Sequence, residues 1–441
     1  MKYDLIVVGA GPAGTIAAIT AKNRGLNVAL VERRKLGSKL KRANTCMLVD
    51  TPGFNGENVS VQETRGNTKI VFEKNGFDIS VPGTLEKIYD SISYSPNGKK
   101  IHVHNTKKSL YHLFNNQVIL DSLAEKALRA GVAVMDESLA VSGENTGTGV
   151  SVKVKHNSGE TILEGSMAVV AEGLKSALSK STGAMKERVV FGRGPSLQYT
   201  MENVKFPFED RAFVTFYGST YSRGGGVLYV APCSGGNDRY YVGISGVNPS
   251  KYCKIFLDEF FGKDLVADWF RDARIVDYTG AVVHLITPMA DPIKGRFMFA
   301  GDSAGFAETM YQGAMMCGYR AASAAADELD GKKGCDSYRD FWKNSFLWNK
   351  NPQSMADYLK IGFFYPFFSD AELDYLFGLV DGRTFEGIHD PYQQVNKLFE
   401  LILSSENIKP EMAAKASMFR KITMQDIAKL IEQKRQFAKK E

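Results

Sequence analysis

Residues 5–8, Leu-Ile-Val-Val, are apolar at every position. A run with no polar alternation predicts a strand covered on both faces, as in the middle of a parallel sheet. Gly9-Ala10-Gly11-Pro12-Ala13-Gly14 follows. Thr15 to Arg24 is rich in Ala and Ile and predicts a helix, with Gly25 suited to its C-terminal cap. Asn27 to Val31 predicts a second strand ending at Glu32. Together these segments form a βαβ unit of roughly 30 residues.

Beyond it, β-branched residues broken by Gly, Asn and Pro over 60–105 predict short strands and hairpins. Asn116 to Gly131 predicts a helix with Val118, Leu120, Leu123, Ala124 and Ala127 near one face. Strands are expected at 132–136, 149–155 and 161–171. β character continues through 188–247, with turns at Gly224-Gly225-Gly226 and Ser234-Gly235-Gly236-Asn237. Residues 252–271 read as helical, and helical patterns dominate from about residue 305. The expected fold is α/β: a GxGxxG Rossmann-like domain interleaved with a β-rich substrate domain, plus a helical C-terminal region. The split nucleotide domain is assigned residues 1–80, 100–185 and 275–330. The substrate domain takes 80–100 and 186–274, and the helical region 331–441.

Length alone, 441 residues, suggests two or three domains in a row at about 150 residues each. The motif spacing replaces that picture with an interleaved unit. With 44% hydrophobic and 24% charged residues, the chain is neither disordered nor collagen-like. No apolar run reaches about 20 residues, so no transmembrane helix is expected. Met1-Lys2-Tyr3-Asp4 lacks the layout of a signal peptide, and the cytoplasm is the expected compartment. Five cysteines without a CxxC pair support neither a disulfide framework nor a zinc site. The six histidines read as scattered, and no metal site is expected. A net charge of +6 is too weak to imply nucleic acid and suits an anionic cofactor or an acidic membrane surface. Part of that charge crowds Arg33, Arg34, Lys35, Lys39, Lys41 and Arg42, which reads as a solvated loop.

A GxGxxG sequence gains force here because it joins a strand to a helix and an acid ends the next strand. Gly9 allows the tight turn, Gly11 lets the backbone approach a pyrophosphate, and Gly14 lets helix and strand pack closely. Glu32 stands where a carboxylate accepts hydrogen bonds from an adenosine ribose with free hydroxyls. Far along the chain, Phe297-Met298-Phe299-Ala300-Gly301-Asp302-Ser303-Ala304-Gly305 is a second strand running into Gly-Asp. Val169-Val170-Ala171-Glu172-Gly173 is a third, weaker element.

This set resembles the FAD-binding fold of aromatic hydroxylases, flavin halogenases and geranylgeranyl reductases. The last of these is the closer resemblance, over most of residues 1–325. It rests on Cys46 after Arg42-Ala43-Asn44-Thr45, on Tyr229-Val230-Ala231-Pro232 with Tyr241-Val242-Gly243-Ile244, and on Asp121-Ser122-Leu123-Ala124. The resemblance implies FAD as cofactor, held by Gly9, Gly11, Pro12, Ala13, Gly14, Glu32, Arg33, Gln117, Glu172, Gly173, Gly301, Asp302, Gly305, Gly313 and Ala314. Asp302 then takes the ribitol. It also implies Cys46 beside the flavin and Tyr229 in the substrate channel. The chain departs from the family in having Gln117 for an arginine, Leu120 for a phenylalanine, and Glu308-Thr309-Met310-Tyr311-Gln312-Gly313 for a Pro and Gly-x-Gly after Asp302.

The expected activity is an FAD-dependent reduction of carbon–carbon double bonds in a prenyl or other hydrophobic chain, with NAD(P)H or a reduced ferredoxin as electron donor. The alternatives are a flavin-dependent hydroxylase of the same fold, an electron-transfer flavoprotein acting on quinone, and a non-enzymatic nucleotide carrier. None of Trp269, Trp342 and Trp348 fits the Trp-x-Trp-x-Ile element of halogenases. Cys46, Tyr229 and Tyr311 are the candidate catalytic residues, as proton donors or channel walls, and core packing is the alternative for each. Glu308 is a candidate relay. Cys233, Cys253, Cys317 and Cys335 read as structural and His284 as a satisfied core histidine. The aromatic stretch Ile361 to Phe368 suits either a membrane-facing channel mouth or a buried helix junction. The basic amphipathic segment with Ile422, Met424, Ile427, Leu430, Ile431 and Phe437 suits contact with anionic lipid or packing on its own domain.

Overall fold

The computed structural model describes residues 2–43, 46–174, 176–208, 211–223, 225–234, 238–246, 250–307, 309–387 and 389–437, with side chains to residue 433. Gly224, Gly235, Gly236, Asn237, Asn44, Thr45, Glu308 and the Phe437 side chain, all named above, lie outside this description.

The first sheet is built on the apolar run. Lys2–Val8 lies between Val28–Val31 and Gly159–Val170, parallel to both. Ala133–Met135 extends one side, and Phe297–Phe299 pairs in parallel with the end of Gly159–Val170. Leu5 to Val7 are fully buried, which accounts for the missing polar alternation. Val150–His156 and the unanticipated strand Leu139–Asn145 add an antiparallel extension. Pro12–Asn23 forms the first helix, with Gly25 at φ +85° just past its end. It packs against the long helix Met310–Leu329 so closely that a Cβ on Gly318 would lie 2.0 Å from the Ala13 carbonyl oxygen.

The second sheet has eight strands in the spatial order Arg274–Ile286, Val190–Glu202, Arg239–Ser245, Val227–Pro232, Ala212–Phe216, Asp90–Tyr94, Lys100–His104 and Thr384–Glu386. Its strand pairing differs from the expected boundaries. Residues 274–286 pair with Val190–Glu202, and residues 100–104 pair with Asp90–Tyr94, so both belong to this sheet rather than to the nucleotide unit. Thr384–Glu386 joins it from within the otherwise helical C-terminal region. The partners of 274–286 and 384–386 are so distant in sequence that these pairings leave no local mark.

Helix Asn116–Arg129 buries Ile119, Leu123 and Ala127, a line of i, i+4, i+8 positions, whereas Val118, Leu120 and Ala124 flank it half-buried. The aromatic stretch is a buried junction: Phe364 and Phe368 pack against Phe399 and Phe419. In the last helix Ile427 and Ile431 are buried with Ile422 against the main core, so that apolar face is already covered. No helix among the described residues is long and apolar enough to cross a membrane. His284 is half-buried on the outer strand of the second sheet, not in a core.

Candidate functional site

A cleft of about 770 Å³ opens where the first strand meets the first helix. One wall carries Gly9, Gly11, Pro12 and Ala13 from the turn, Glu32 and Arg33 from the end of the next strand, and Glu172 and Gly173 from the third. Gly301, Asp302, Tyr311 and Ala314 close one end, and residues 195–197 and 280–282 of the second sheet form the facing wall.

The glycines differ in what they do. Gly9 has φ +100°, and a Cβ on it would lie 2.3 Å from the Ala171 carbonyl oxygen. Gly14 is pressed on Gly9 itself, with 1.7 Å between its hypothetical Cβ and the Gly9 carbonyl oxygen. Gly11 has nothing within 4 Å of that position, so its open side faces the cleft. It also precedes the first helix with no side-chain cap, and the first-turn N–H groups of Ala13 and Gly14 have no intrahelical partner. An anion fits there.

Glu32 is 7% exposed and accepts from the Ala10 N–H at 2.8 Å and the Arg34 N–H at 2.9 Å. Its carboxylate is thereby pinned to the turn. Glu172 accepts from Ser176 Oγ at 2.6 Å and the Leu178 N–H at 3.1 Å, so it caps the short helix Ala177–Ser181 while facing the cleft. Burial raises its pKa. Asp302 accepts from the Thr309 N–H at 2.7 Å and hydroxyl at 2.9 Å, and Arg42 Nη2 lies 3.2 Å from its other oxygen.

Several expected residues stand elsewhere. Gln117 is off the cleft: its Oε1 accepts from the Leu40 N–H at 2.8 Å and its amide donates to Asp121 at 2.8 Å. Gln117 instead fastens the loop that brings Leu40 to the cleft. Gly305 is a packing position against Thr309, and Gly313 fits against Phe346 and Asn55. Cys46 is 2% exposed behind the wall, in the cluster of Phe114, Met315 and Tyr311. Burial pushes its thiol up to about 12. Tyr229 is buried in the cluster with Tyr111 and Ala231, donating to Gln198 Oε1 at 2.7 Å. Of the three candidate catalytic residues, Tyr311 alone lines the cleft.

The basic crowd is not simply a solvated loop. Arg33, Arg34, Lys41 and Arg42 line the cleft, where an anionic ligand explains them better than solvent does. Cys253, read as structural, also reaches the facing wall. Met310, which lines the cleft, has left-handed backbone at φ +57°, as does Cys46 behind the wall at φ +51°. Strain of this kind persists where surrounding structure enforces it, commonly at functional sites. Beside Tyr311, Gln312 is 1% exposed with neither side-chain atom hydrogen-bonded. An open glycine at a helix N-terminus, a cationic mouth and two carboxylates at opposite ends fit a long, polar, doubly anionic cofactor such as FAD.

Arg188 gave no signal in the sequence. It donates to the carbonyls of Thr287, Ser303 and Gly305 at 2.7, 2.9 and 2.6 Å, and burial brings its pKa down to about 10. Arg188→Met is expected to cost about 2–4 kcal/mol and to loosen the Asp302 turn, because three carbonyls lose a charged donor. Arg188→Lys is not expected to restore it, since an ammonium cannot span the three. Thermal melts with and without FAD check this.

The FAD binding domain family model matches residues 2–304. A digeranylgeranylglycerophospholipid reductase from Methanococcus vannielii is 23% identical over 360 residues, covering 79% of this chain and 85% of its own. The Methanocaldococcus jannaschii protein of that name is 23% identical over 395 residues, 88% of this chain and 92% of its own. Among solved structures, a geranylgeranyl bacteriochlorophyll reductase-like protein from Thermoplasma acidophilum aligns with a TM-score of 0.72 at 19% identity, over 95% of this chain and 99% of that one. A flavin-dependent brominase aligns at 0.58 and 16% identity, over 95% and 98%. The glycine turn, the Gly-Asp return and the family match across both agree: the chain belongs to the FAD-binding domain family and is an FAD-dependent oxidoreductase, similar over most of its length to geranylgeranyl-type reductases.

Proposed function

We propose that the protein reduces carbon–carbon double bonds in a prenyl or other long apolar chain. The observation that carries this reading is where Tyr311 sits. It lines the cofactor cleft and belongs to the same buried cluster as Phe114, Leu48 and Cys46. Met47 also lines the cleft and packs on the neighbouring cluster of Ile88, Leu113, Tyr111 and Tyr229. The cleft therefore borders an interior of aromatic and aliphatic side chains. An apolar chain is at home there, and aromatic faces suit developing positive charge on an alkene carbon.

FAD, when bound, supplies hydride chemistry. Glu32 would hold the adenosine ribose, the Ala13 and Gly14 N–H groups the pyrophosphate, and Asp302 the ribitol. The remaining requirement is a proton. Burial holds the hydroxyl of Tyr311 protonated well above the ordinary tyrosine range, with the Cys46 thiol adding to the rise. Both groups are thus donors, not bases, at any working pH.

The relatives' names support a lipid substrate. We also infer NAD(P)H or a reduced ferredoxin as electron donor. The test is to reduce the purified flavoprotein without air, using each donor in turn, and then add a polyprenyl lipid. Flavin reoxidation with a product heavier by two hydrogens per bond is the expected result. Reoxidation by oxygen alone, with an oxygenated product, would place the protein among the hydroxylases instead.

A further inference from the structure

The strand Lys100–His104 carries His102 and His104, separated by one residue. In a strand that spacing puts both rings on one face. The antiparallel neighbour Asp90–Tyr94 sets Asp90 opposite His104, so the carboxylate stands on the same face. The three side chains converge. His102 Nε2 lies 2.6 Å and His104 Nδ1 2.9 Å from Asp90 Oδ1, and one ligand atom from each residue falls within 4.8 Å of the others. This overturns the reading of the histidines as scattered, which overlooked the His-x-His spacing.

Two further observations point to a ligand. Asp90 is 6% exposed, yet its Oδ2 has no hydrogen-bond partner. A buried carboxylate oxygen left unpaired costs free energy, and a cation shared with the two rings removes that cost. On the far side of the His102 ring, Nδ1 lies 3.1 Å from Thr384 Oγ1. Metal-bound histidines are oriented by an outer oxygen partner in this way. Thr384 sits opposite His102 and Glu386 opposite His104 on the adjoining parallel strand, so Glu386 adds negative charge along the same face. The two histidine side chains are 26% and 30% exposed, which leaves a route for an ion from solvent.

We propose that Asp90, His102 and His104 form a binding site for a divalent transition metal, Zn²⁺ foremost, outside the cofactor cleft. Two imidazoles and a carboxylate are a nitrogen–oxygen set that Zn²⁺ takes at about 2.0–2.2 Å, with a fourth position for water. Ca²⁺ and Mg²⁺ prefer oxygen ligands and fit it poorly. On binding, the ion takes the place of the hydrogen shared between each ring nitrogen and Asp90. His102 offers Nε2 and donates Nδ1–H to Thr384, which ties the C-terminal strand Thr384–Glu386 to the rim of the sheet. None of the three ligands lines the cofactor cleft, so the proposal stands apart from the reaction proposed above.

The test uses the full-length, tag-free flavoprotein, stripped with a chelator and titrated with ZnCl₂ by calorimetry. Bound zinc is counted by elemental analysis after gel filtration. One equivalent per chain is expected, with a rise in the melting temperature. His104→Ala and Asp90→Asn are expected to weaken binding at least 100-fold while flavin content stays unchanged. Thr384→Ala, a change on the exposed strand, is expected to weaken it about tenfold and guards against a folding failure in the other two. A Co²⁺-loaded sample should lack a thiolate charge-transfer band. Retention of no zinc, equal retention in His104→Ala, or a thiolate band would overturn the proposal, leaving a hydrogen-bonded Asp–His cluster or cysteine ligation in its place.

Discussion

Replacing Gly11 by alanine is expected to leave the fold intact and to remove flavin binding, whereas the same change at Gly14 is expected to damage both. Gly11 has φ −77° and ψ −175°, an extended conformation open to any residue, and an added Cβ meets no protein atom within 4 Å. The new methyl group occupies cleft space beside the N–H groups of Ala13 and Gly14. A phosphate held off those donors loses its hydrogen bonds and its place at the positive end of the helix. A 100-fold or greater loss of FAD affinity, about 2.7 kcal/mol, is the expected size. Gly14 is different because its Cβ would overlap the Gly9 carbonyl, and Gly9 is itself pressed against Ala171. That stack of backbone on backbone cannot open without moving the strand–helix unit. The flavin-to-protein absorbance ratio, an FAD titration of the apoprotein and the apoprotein melting temperature separate the two cases. If Gly11→Ala melts as low as Gly14→Ala, the glycine serves the fold and the pyrophosphate assignment fails.

What was legible in the sequence was local. The turn from Gly9 to Gly14, the helix after it and the strand ending at Glu32 depend on spacings of a few residues, and pattern rules read such spacings well. The Gly-Asp return at 301–302 was legible through a family resemblance, because a second strand-to-turn signal so far along the chain has no local meaning. Most of the misplacements share one cause. Strand 274–286 went to the wrong sheet because its partner, Val190–Glu202, lies far away in sequence. Arg188 looked like any surface arginine, since the three carbonyls it serves come from residues 287, 303 and 305. The basic crowd before Cys46 reads as solvated on composition, and only the tertiary fold turns four of its members into the cleft. Asp90 and the two histidines are close in sequence, so the hairpin geometry was in principle readable from His-x-His. The missing part was the register that sets Asp90 opposite His104.

Tyr311→Phe is expected to slow reduction of the alkene substrate about 100-fold while leaving FAD affinity and reduction of the flavin unchanged. Tyr311 is the one residue among the candidate donors that lines the cleft, and a positioned general acid typically contributes 10²–10⁴-fold. Its ring packs edge-on against Phe114 at 4.8 Å, and phenylalanine keeps that contact. The pH profile follows from the direction of the shift. A phenol with a raised pKa stays protonated until the pH passes that raised value, so the wild-type rate should show no alkaline loss from this group below about pH 10, where an ordinary tyrosine would begin to ionise. Cys46 provides the contrast. Its thiol, pushed up to about 12, is also protonated, but it sits behind Tyr311 and off the cleft. Cys46→Ala is therefore expected to cost less than about tenfold, below the general-acid range. Single-turnover mixing of pre-reduced protein with substrate isolates the step. A larger effect at Cys46 than at Tyr311 would make the thiol the proton source and Tyr311 part of the wall. Equal losses that combine without adding would instead mark a relay, with the thiol replenishing the proton that the phenol gives up.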